Sequence, residues 1–199
     1  MKLFVNILLF ALVFIGAPAL AQDTASTGTL VVDVRPYVGE KPLSKKVEQQ
    51  FKGAGLEWGI RDDLLVFTMV HKRFIDFPIN HMTRYGQSET LTLPAGEYRI
   101  TGIGMRMMSS FTMQKVLDRG AFVNNDVMTF RVEPGKTTTL RINSVIKRDT
   151  AFAADFWMPT LLASIVDKNG TSQEKALNER IDSSIGWLDY HGPLKFVAQ

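Results

Sequence analysis

The chain has no cysteine among its 199 residues. This absence excludes disulfide bonds, thiol nucleophiles, thiolate zinc sites and cysteine-ligated iron–sulfur clusters. A chain of this length can bury a core large enough to stabilise a fold without disulfide bonds. For an exported protein, the lack of cysteine favours a bacterial periplasm or medium over a secreted eukaryotic domain.

The chain also lacks an excess of charge of one sign. Its 23 Lys and Arg residues stand against 20 Asp and Glu residues, which gives a formal net charge of +3. The basic residues are scattered along the sequence, whereas nucleic-acid-binding proteins usually have a clustered basic surface. We therefore expect no nucleic-acid partner.

Catalytic motifs are scarce. The serines form no G-x-S-x-G elbow, and the glycine pairs at residues 53–55 and 102–104 are not followed by a phosphate-loop lysine. Asp62 and Asp63 are adjacent, and neighbouring strand residues face opposite ways, so the two carboxylates would not converge on one substrate. The sequence predicts a non-catalytic protein without a cofactor.

The first 21 residues have the pattern of an export signal. A lysine precedes an apolar run over residues 3–15, and Ala19-Leu20-Ala21 matches the small-residue site that signal peptidases read. We expect cleavage between Ala21 and Gln22. The apolar run is too short to span a bilayer, so we expect a periplasmic or secreted bacterial protein with no integral membrane segment after cleavage.

The remainder has the pattern of one domain. Residues 22–28 are small and polar and are predicted to form a flexible leader. Residues 29–199 contain no long linker and are predicted to form a single domain, which includes a C-terminal extension over residues 151–199. Short helical segments are expected near residues 43–51 and within residues 151–185.

Two Pro-Gly turns organise the middle of the chain. Apolar residues alternate on both sides of Pro94-Ala95-Gly96-Glu97 and of Glu133-Pro134-Gly135-Lys136. Proline fixes φ and glycine supplies a positive φ in tight turns, so the pattern predicts two hairpins with Gly96 and Gly135 in turn conformations. With an expected first strand at residues 29–35 and a buried strand at 64–70, the sequence predicts a mainly β fold, an antiparallel β-sandwich.

The same turns carry a family resemblance. Leu93-Pro94-Ala95-Gly96-Glu97-Tyr98-Arg99-Ile100, followed by Phe130-Arg131-Val132-Glu133-Pro134-Gly135-Lys136, resembles transthyretin-like and carboxypeptidase-regulatory-like β-sandwiches, and is similar to uncharacterised bacterial envelope proteins. The resemblance covers residues 86–145 and is structural. It implies an accessory, adhesive or carrier module and transfers no catalytic residue.

Two groups of side chains suggest alternative functions. His71, Asp76 and His81 would come together if their strands formed a hairpin, which would suit an envelope enzyme or a metal site, although the spacing matches no metal motif. The methionine cluster between Met105 and Met113 contains the thioethers that bind soft Cu⁺. Methionine is also an adaptable filler of cores and binding surfaces, so we predict no metal site.

Aromatic and methionine side chains provide the binding candidates, since exposed Trp and Tyr often anchor interfaces. These candidates are Met107, Met108, Trp157, Trp187 and Tyr190. The main hypothesis is an exported, non-catalytic binding or envelope-accessory module for an unknown protein, glycan or lipid partner in the cell envelope. The alternatives are the enzyme and the metal-binding protein described above.

Overall fold

The structure is a computed structural model that describes residues 26–69, 75–106, 113–151 and 154–195. The predicted signal sequence, with its cleavage site at Ala21 and Gln22, lies outside the described residues. The described part contains the helices α1 (Lys45–Phe51) and α2 (Met113–Gly120). Its strands, in chain order, are β1 (Thr27–Val34), β2 (Val38–Gly39), β3 (Gly55–Arg61), β4 (Leu64–Thr68), β5 (His81–Arg84), β6 (Gln87–Pro94), β7 (Gly96–Met105), β8 (Ala121–Val132), β9 (Thr137–Ala151), β10 (Ala154–Asp167), β11 (Gly170–Thr171), β12 (Lys175–Ala176) and β13 (Ile185–Gly186).

The strands form two sheets. The first has the order β11-β10-β9-β1-β6, with β12 also paired to β10 and β2 to β9. The second has the order β13-β8-β7-β4-β3-β5. The predicted mainly β, sandwich-like fold is confirmed, but the sheets are mixed rather than wholly antiparallel, because β1 runs parallel to β9 and β4 runs parallel to β7.

The main core lies between the two sheets. In β1, Leu30, Val32 and Val34 alternate with more exposed residues and are fully buried. They share one core cluster with Trp58 and Phe67 of the second sheet. Period-two alternation directs each of these side chains to the inner face of its own sheet, and their burial provides the main stabilising free energy of the sandwich.

A second core covers the outer face of the second sheet. All five residues of β4 are buried, with Leu65 and Phe67 in the main core and Leu64 and Val66 in the second. Leu117 of α2 belongs to this second core. The predicted strand buried on both faces is therefore confirmed, and it explains the continuous apolar run.

Both Pro-Gly turns connect one sheet to the other, so the two predicted hairpins are wrong. The first turn joins β6 of the first sheet to β7 of the second, and the other turn joins β8 of the second sheet to β9 of the first. Alternation predicts which side chains point inward, and it does so equally for a hairpin and for a crossing between sheets. The inward-facing residues are as predicted: Tyr98, Ile100, Phe130, Val132, Leu140 and Ile142 are all buried in the main core.

Only one of the two turn glycines has the predicted conformation. Gly135 has a φ of 66°, and Lys136 N donates to Glu133 O at 3.1 Å, as in a turn with Pro at its second position and Gly at its third. Gly96 already belongs to β7 and has no positive φ. The predicted turn conformation of Gly96 is therefore wrong.

We expect Gly135→Ala to destabilise the protein by about 1–2 kcal/mol, because a Cβ resists the left-handed region. Gly96→Ala is the matched control, since a Cβ there would have no atom within 4 Å and the φ of Gly96 is not positive, so alanine can adopt it. Urea unfolding midpoints of the two variants measure the difference. Equal midpoints would contradict the assigned turn.

The helix near residues 43–51 is confirmed as α1, with Ser44 as its N-cap accepting a hydrogen bond from Val47 N at 3.4 Å. The helical segments expected within residues 151–185 are wrong. The longest element of that stretch is the strand β10, which pairs antiparallel with β9 from Ala154 to Val166. The run could not be distinguished from a helix by periodicity, because it is apolar on nearly every residue.

Pro159 lies inside β10 rather than at a helix start. Its carbonyl oxygen accepts a hydrogen bond from Asn178 Nδ2 at 2.7 Å, on the side of β10 that faces away from β9. The nitrogen and carbonyl of one strand residue point to the same side, so the missing N–H of Pro159 removes no hydrogen bond between β9 and β10.

Residues 175–184, named here the closing segment, run along the seam between β10 and β8. The segment begins with β12 and carries Leu177, which is fully buried in the main core. Thr171 and Glu174, which have the spacing of a capping box, do not begin a helix: Glu174 accepts a hydrogen bond from Asn143 of β9, and the residues that follow it form β12. Residues 27 and 28, which were predicted to belong to the flexible leader, are part of β1.

Candidate functional site

The clefts in the described part of the chain include an open one of about 480 Å³ around β2 and three more enclosed ones. A cleft of about 810 Å³ lies beside the β8–β9 turn and the β10–β11 hairpin. A cleft of about 640 Å³ lies beside α1. A third, of about 390 Å³, lies where β4, β7, β9 and β10 meet the closing segment. Their volumes fall within the range of about 300–1,000 Å³ that is usual for small-molecule sites, so the lining chemistry must distinguish them.

The 810 Å³ cleft neutralises most of its own charge. Lys136 and Lys168, the latter at 3.3 Å, both bond to the carboxylate of Glu133. The hydrogen bond from Lys136 is the main reason that the pKa of Glu133 is lowered. The rest of its lining combines Thr, Ser, Asn and Gly with three apolar residues and one further pair of opposite charges, Arg131 and Asp167. Charges that already neutralise each other attract a charged ligand only weakly. The 810 Å³ cleft is therefore not the strongest candidate.

The 640 Å³ cleft contains three aromatic rings that pack against each other. The centroid of Tyr37 lies 5.6 Å from that of Phe51 and 5.4 Å from that of Tyr85. Burial raises the pKa of Tyr85 to about 12. Phe51 is the last residue of α1, so these contacts attach the helix to the sheet. We interpret the cluster as a small core under α1 rather than as an open stacking surface.

The third cleft, named here the basic groove, draws its lining from both sheets and the closing segment. The lining residues are Met69, Met105, Arg106, Phe122, Lys147, Arg148, Met158, Pro159, Thr160, Asn178, Glu179 and Arg180. They come from the ends of β4 and β7, from β8, β9 and β10, and from the closing segment. The fold brings these residues together although they are distant in sequence.

One part of the basic groove is apolar. Met69, Met105 and Met158 are half-buried, and Phe122 is 2% exposed. Methionine is flexible and polarisable, so a surface with three thioethers can adapt to apolar ligands of different shape.

The other part of the basic groove is cationic. Arg106, Lys147, Arg148 and Arg180 contribute four positive charges, and Glu179 is the single carboxylate of the lining. Because Lys147 donates a hydrogen bond to Glu179, the pKa of that carboxyl is lowered, and Thr160 Oγ1 donates a second hydrogen bond at 3.0 Å. Glu179 is therefore ionised and already paired at neutral pH.

Two of the four cations are not paired with an acid. Arg148 Nη2 lies 2.7 Å from Asp155 Oδ2, and Lys147 is bonded to Glu179. Arg106 and Arg180 are exposed, and neither has a carboxylate partner among the residues that the structure describes. The guanidinium of Arg180 lies 5.6 Å from the ring centroid of Phe122, which favours its placement over the groove.

Asn178 joins the closing segment to both sheets at the groove. Its Oδ1 accepts a hydrogen bond from Leu161 N at 2.7 Å, and its Nδ2 donates to Pro159 O at 2.7 Å. The same Nδ2 lies 3.1 Å from Met69 Sδ at the end of the second sheet. These contacts position Glu179 and Arg180, the two residues that follow.

The aromatic residues that the sequence proposed as binding candidates lie in two different environments. Trp187 is 6% exposed and belongs to the second core. Tyr190 packs against that core, with its ring centroid 6.3 Å from that of Trp187, so both side chains mainly serve packing. Trp157 is half-buried in β10, opposite Arg148 and next to Met158 of the basic groove. Met107 and Met108 lie outside the described residues, so their predicted binding role stays a prediction.

His81 is engaged in packing and hydrogen bonding. Its ring stacks on Trp58 with centroids 4.1 Å apart, and its Nδ1 is bonded to Glu89. His71 lies outside the described residues, and Asp76 is exposed. No group of three or more His, Cys, Asp or Glu residues that could hold a metal ion occurs in the part of the chain that the structure describes. The enzyme and metal-site alternatives gain no support from these contacts.

Sequence reasoning missed the four cations of the basic groove. Arg106 precedes the noted methionines, but Lys147, Arg148 and Arg180 are distant in sequence. The nearly balanced charge of the whole chain also hides a local excess of positive charge. One signal in the sequence was the Lys147-Arg148 pair, which follows an alternating strand pattern.

One property of the helices and three comparisons with known proteins complete the description of the chain. No helix in the described part of the chain has the length and apolar character needed to cross a membrane. No family model, curated protein or solved structure is significantly similar to this chain, so the resemblance to transthyretin-like sandwiches stays an expectation.

Proposed function

We propose that the protein is an exported, non-catalytic binding module of the bacterial cell envelope, and that the basic groove is its ligand site. The observation that carries the proposal is the lining of the groove, where four cations and one carboxylate stand beside three methionines and a phenylalanine. Ligand sites commonly combine an apolar surface with a few charged groups that orient the ligand.

Two further features support this proposal over an enzyme. The single carboxylate of the groove, Glu179, has a lowered pKa, which makes it a poor general base at neutral pH. Arginine does not exchange protons near neutral pH and serves in recognition of anions. Export is supported by the N-terminal sequence, in which an apolar run leads to Ala19-Leu20-Ala21.

The proposal predicts that the protein carries a small molecule in the basic groove. The full chain is produced in a Gram-negative bacterium, purified from the periplasm and analysed by native mass spectrometry. We expect a mature N-terminus at Gln22 and a bound molecule whose occupancy falls at least tenfold in an Arg106→Gln/Arg180→Gln variant.

Arg131→Gln provides the matched control, because Arg131 is exposed and lies at the 810 Å³ cleft. This variant should retain the bound molecule. Loss in the control together with retention in the double variant would move the site to the larger cleft. Wild-type protein that carries no molecule, or that retains Met1, would contradict the proposal.

A further inference from the structure

We infer that the basic groove binds a single-chain amphiphile with an anionic head, whose head pairs with Arg106 and Arg180 and whose chain lies on the methionines. This inference rests on the proposed function and names the ligand class of the same site. It is argued from the charge of the groove, its apolar lining and its size.

The charge of the groove requires an anionic head. Lys147 and Arg148 already have the carboxylates of Glu179 and Asp155 as partners. Arg106 and Arg180 have no carboxylate partner among the described residues, so their guanidinium groups are available to a ligand. A planar guanidinium group binds a carboxylate or a phosphate through two parallel hydrogen bonds. Both guanidinium groups would repel a cationic head, and they would add little to the binding of a neutral one.

The apolar lining requires more than a free anion. Met69, Met105 and Met158 line the same cleft as the arginines, together with the ring of Phe122. An inorganic phosphate would pair with the arginines and leave the thioethers facing water. An alkyl chain covers that surface, and the three flexible thioethers can adapt to its bends.

The size of the groove favours a small molecule over a protein. Its volume is about 390 Å³, near the lower end of the range for small-molecule sites. A specific protein partner needs about 800 Å² of contact surface on each side. The cations line a cleft formed by both sheets, rather than a flat face, which favours a single extracted molecule over a membrane surface.

The experiment is a calorimetric titration of the mature chain with dodecanoate, dodecylamine, hexanoate and acetate, each below its micelle concentration. We expect dodecanoate to bind at least tenfold more tightly than dodecylamine, which has the same chain and the opposite charge. Affinity should fall by about fourfold for each methylene removed, as expected for an alkyl chain that leaves water on binding. Acetate should show no measurable binding.

The variants assign the binding to the groove. Arg106→Gln/Arg180→Gln should weaken dodecanoate binding at least tenfold, whereas Arg106→Lys/Arg180→Lys should retain most of it because the charge is kept. Arg131→Gln should bind as wild type. Melting temperatures are measured for each variant, and the Lys variant keeps the test decisive if the Gln variant is unstable.

Several outcomes would overturn the inference: equal binding of dodecylamine, equal binding of acetate, no effect of the Gln variant, or binding to anionic phosphatidylglycerol vesicles without binding of monomeric dodecanoate. The last result would indicate a membrane-surface site. If dodecanoate fails to bind while the Gln variant still loses the molecule that copurifies with wild type, the ligand class is wrong and the proposed site stands. If both tests fail, the proposed function is wrong too.

Discussion

Replacing Gly102 with alanine is expected to lower the free energy of unfolding by about 3 kcal/mol or more. Gly102 lies in β7, where a Cβ would stand 1.9 Å from the carbonyl oxygen of Leu177 and 2.6 Å from its carbonyl carbon. That carbonyl is backbone and also accepts a hydrogen bond from Asn124 Nδ2 at 2.8 Å. Relief of the clash therefore requires the closing segment to move away from the sheet.

Gly96→Ala is the matched control for this substitution. Gly96 belongs to the same strand, and a Cβ there would have no atom within 4 Å. Guanidinium unfolding of both variants separates the close approach at Gly102 from the general cost or benefit of removing a glycine from β7. A Gly102→Ala variant that unfolds at the wild-type midpoint would show that the closing segment does not pack as described.

The sequence predicts the composition of the core much better than the connections between strands. Leu93, Tyr98 and Ile100 alternate with polar residues, and all three lie in the main core. The same alternation does not reveal whether the next strand pairs in the same sheet or crosses to the other one. The turn at Gly96 was therefore interpreted as a hairpin, although β6 and β7 belong to different sheets.

The C-terminal part shows a second limit of sequence reasoning. Residues 154–167 are apolar in a nearly continuous run, which is compatible with a buried helix or a buried strand. The run forms a strand because it pairs with β9, and the apolar residues of the run do not by themselves reveal this pairing. The sequence pattern around Leu177 similarly indicates a short polar helix, but its side chain fills the seam of the sandwich.

The basic groove was beyond sequence reasoning because it is assembled from separated elements. Met105 ends β7 and Arg106 follows it, Lys147 and Arg148 lie in β9, and Arg180 belongs to the closing segment. The methionines between Met105 and Met113 form a cluster in the sequence. In the fold, Met105 lines a groove whose positive charge comes mostly from other elements.

The second large effect is expected for Asn124→Ala, which should destabilise the protein by about 3–4 kcal/mol. Asn124 is 2% exposed. Its Nδ2 donates to Leu177 O and to Glu179 O, each at 2.8 Å. Its Oδ1 accepts from Ser184 Oγ at 2.6 Å. Alanine would remove this donor from the carbonyls of Leu177 and Glu179, whereas the Ser184 hydroxyl would keep its bond from Ile181 N. Each buried polar group left unpaired costs about 1–3 kcal/mol.

Asn124→Ala should also weaken binding in the basic groove, because Asn124 fixes the backbone of Glu179 and thereby the position of Arg180. Asn125→Ala is the control, since Asn125 is the exposed neighbour on the same strand. Chemical unfolding measures stability, and titration with dodecanoate at a temperature where both variants are folded measures the groove. Reduced stability with unchanged affinity would show that the closing segment holds the sandwich together without positioning Arg180. Unchanged stability would mean that the three hydrogen bonds of Asn124 do not fasten the segment at all.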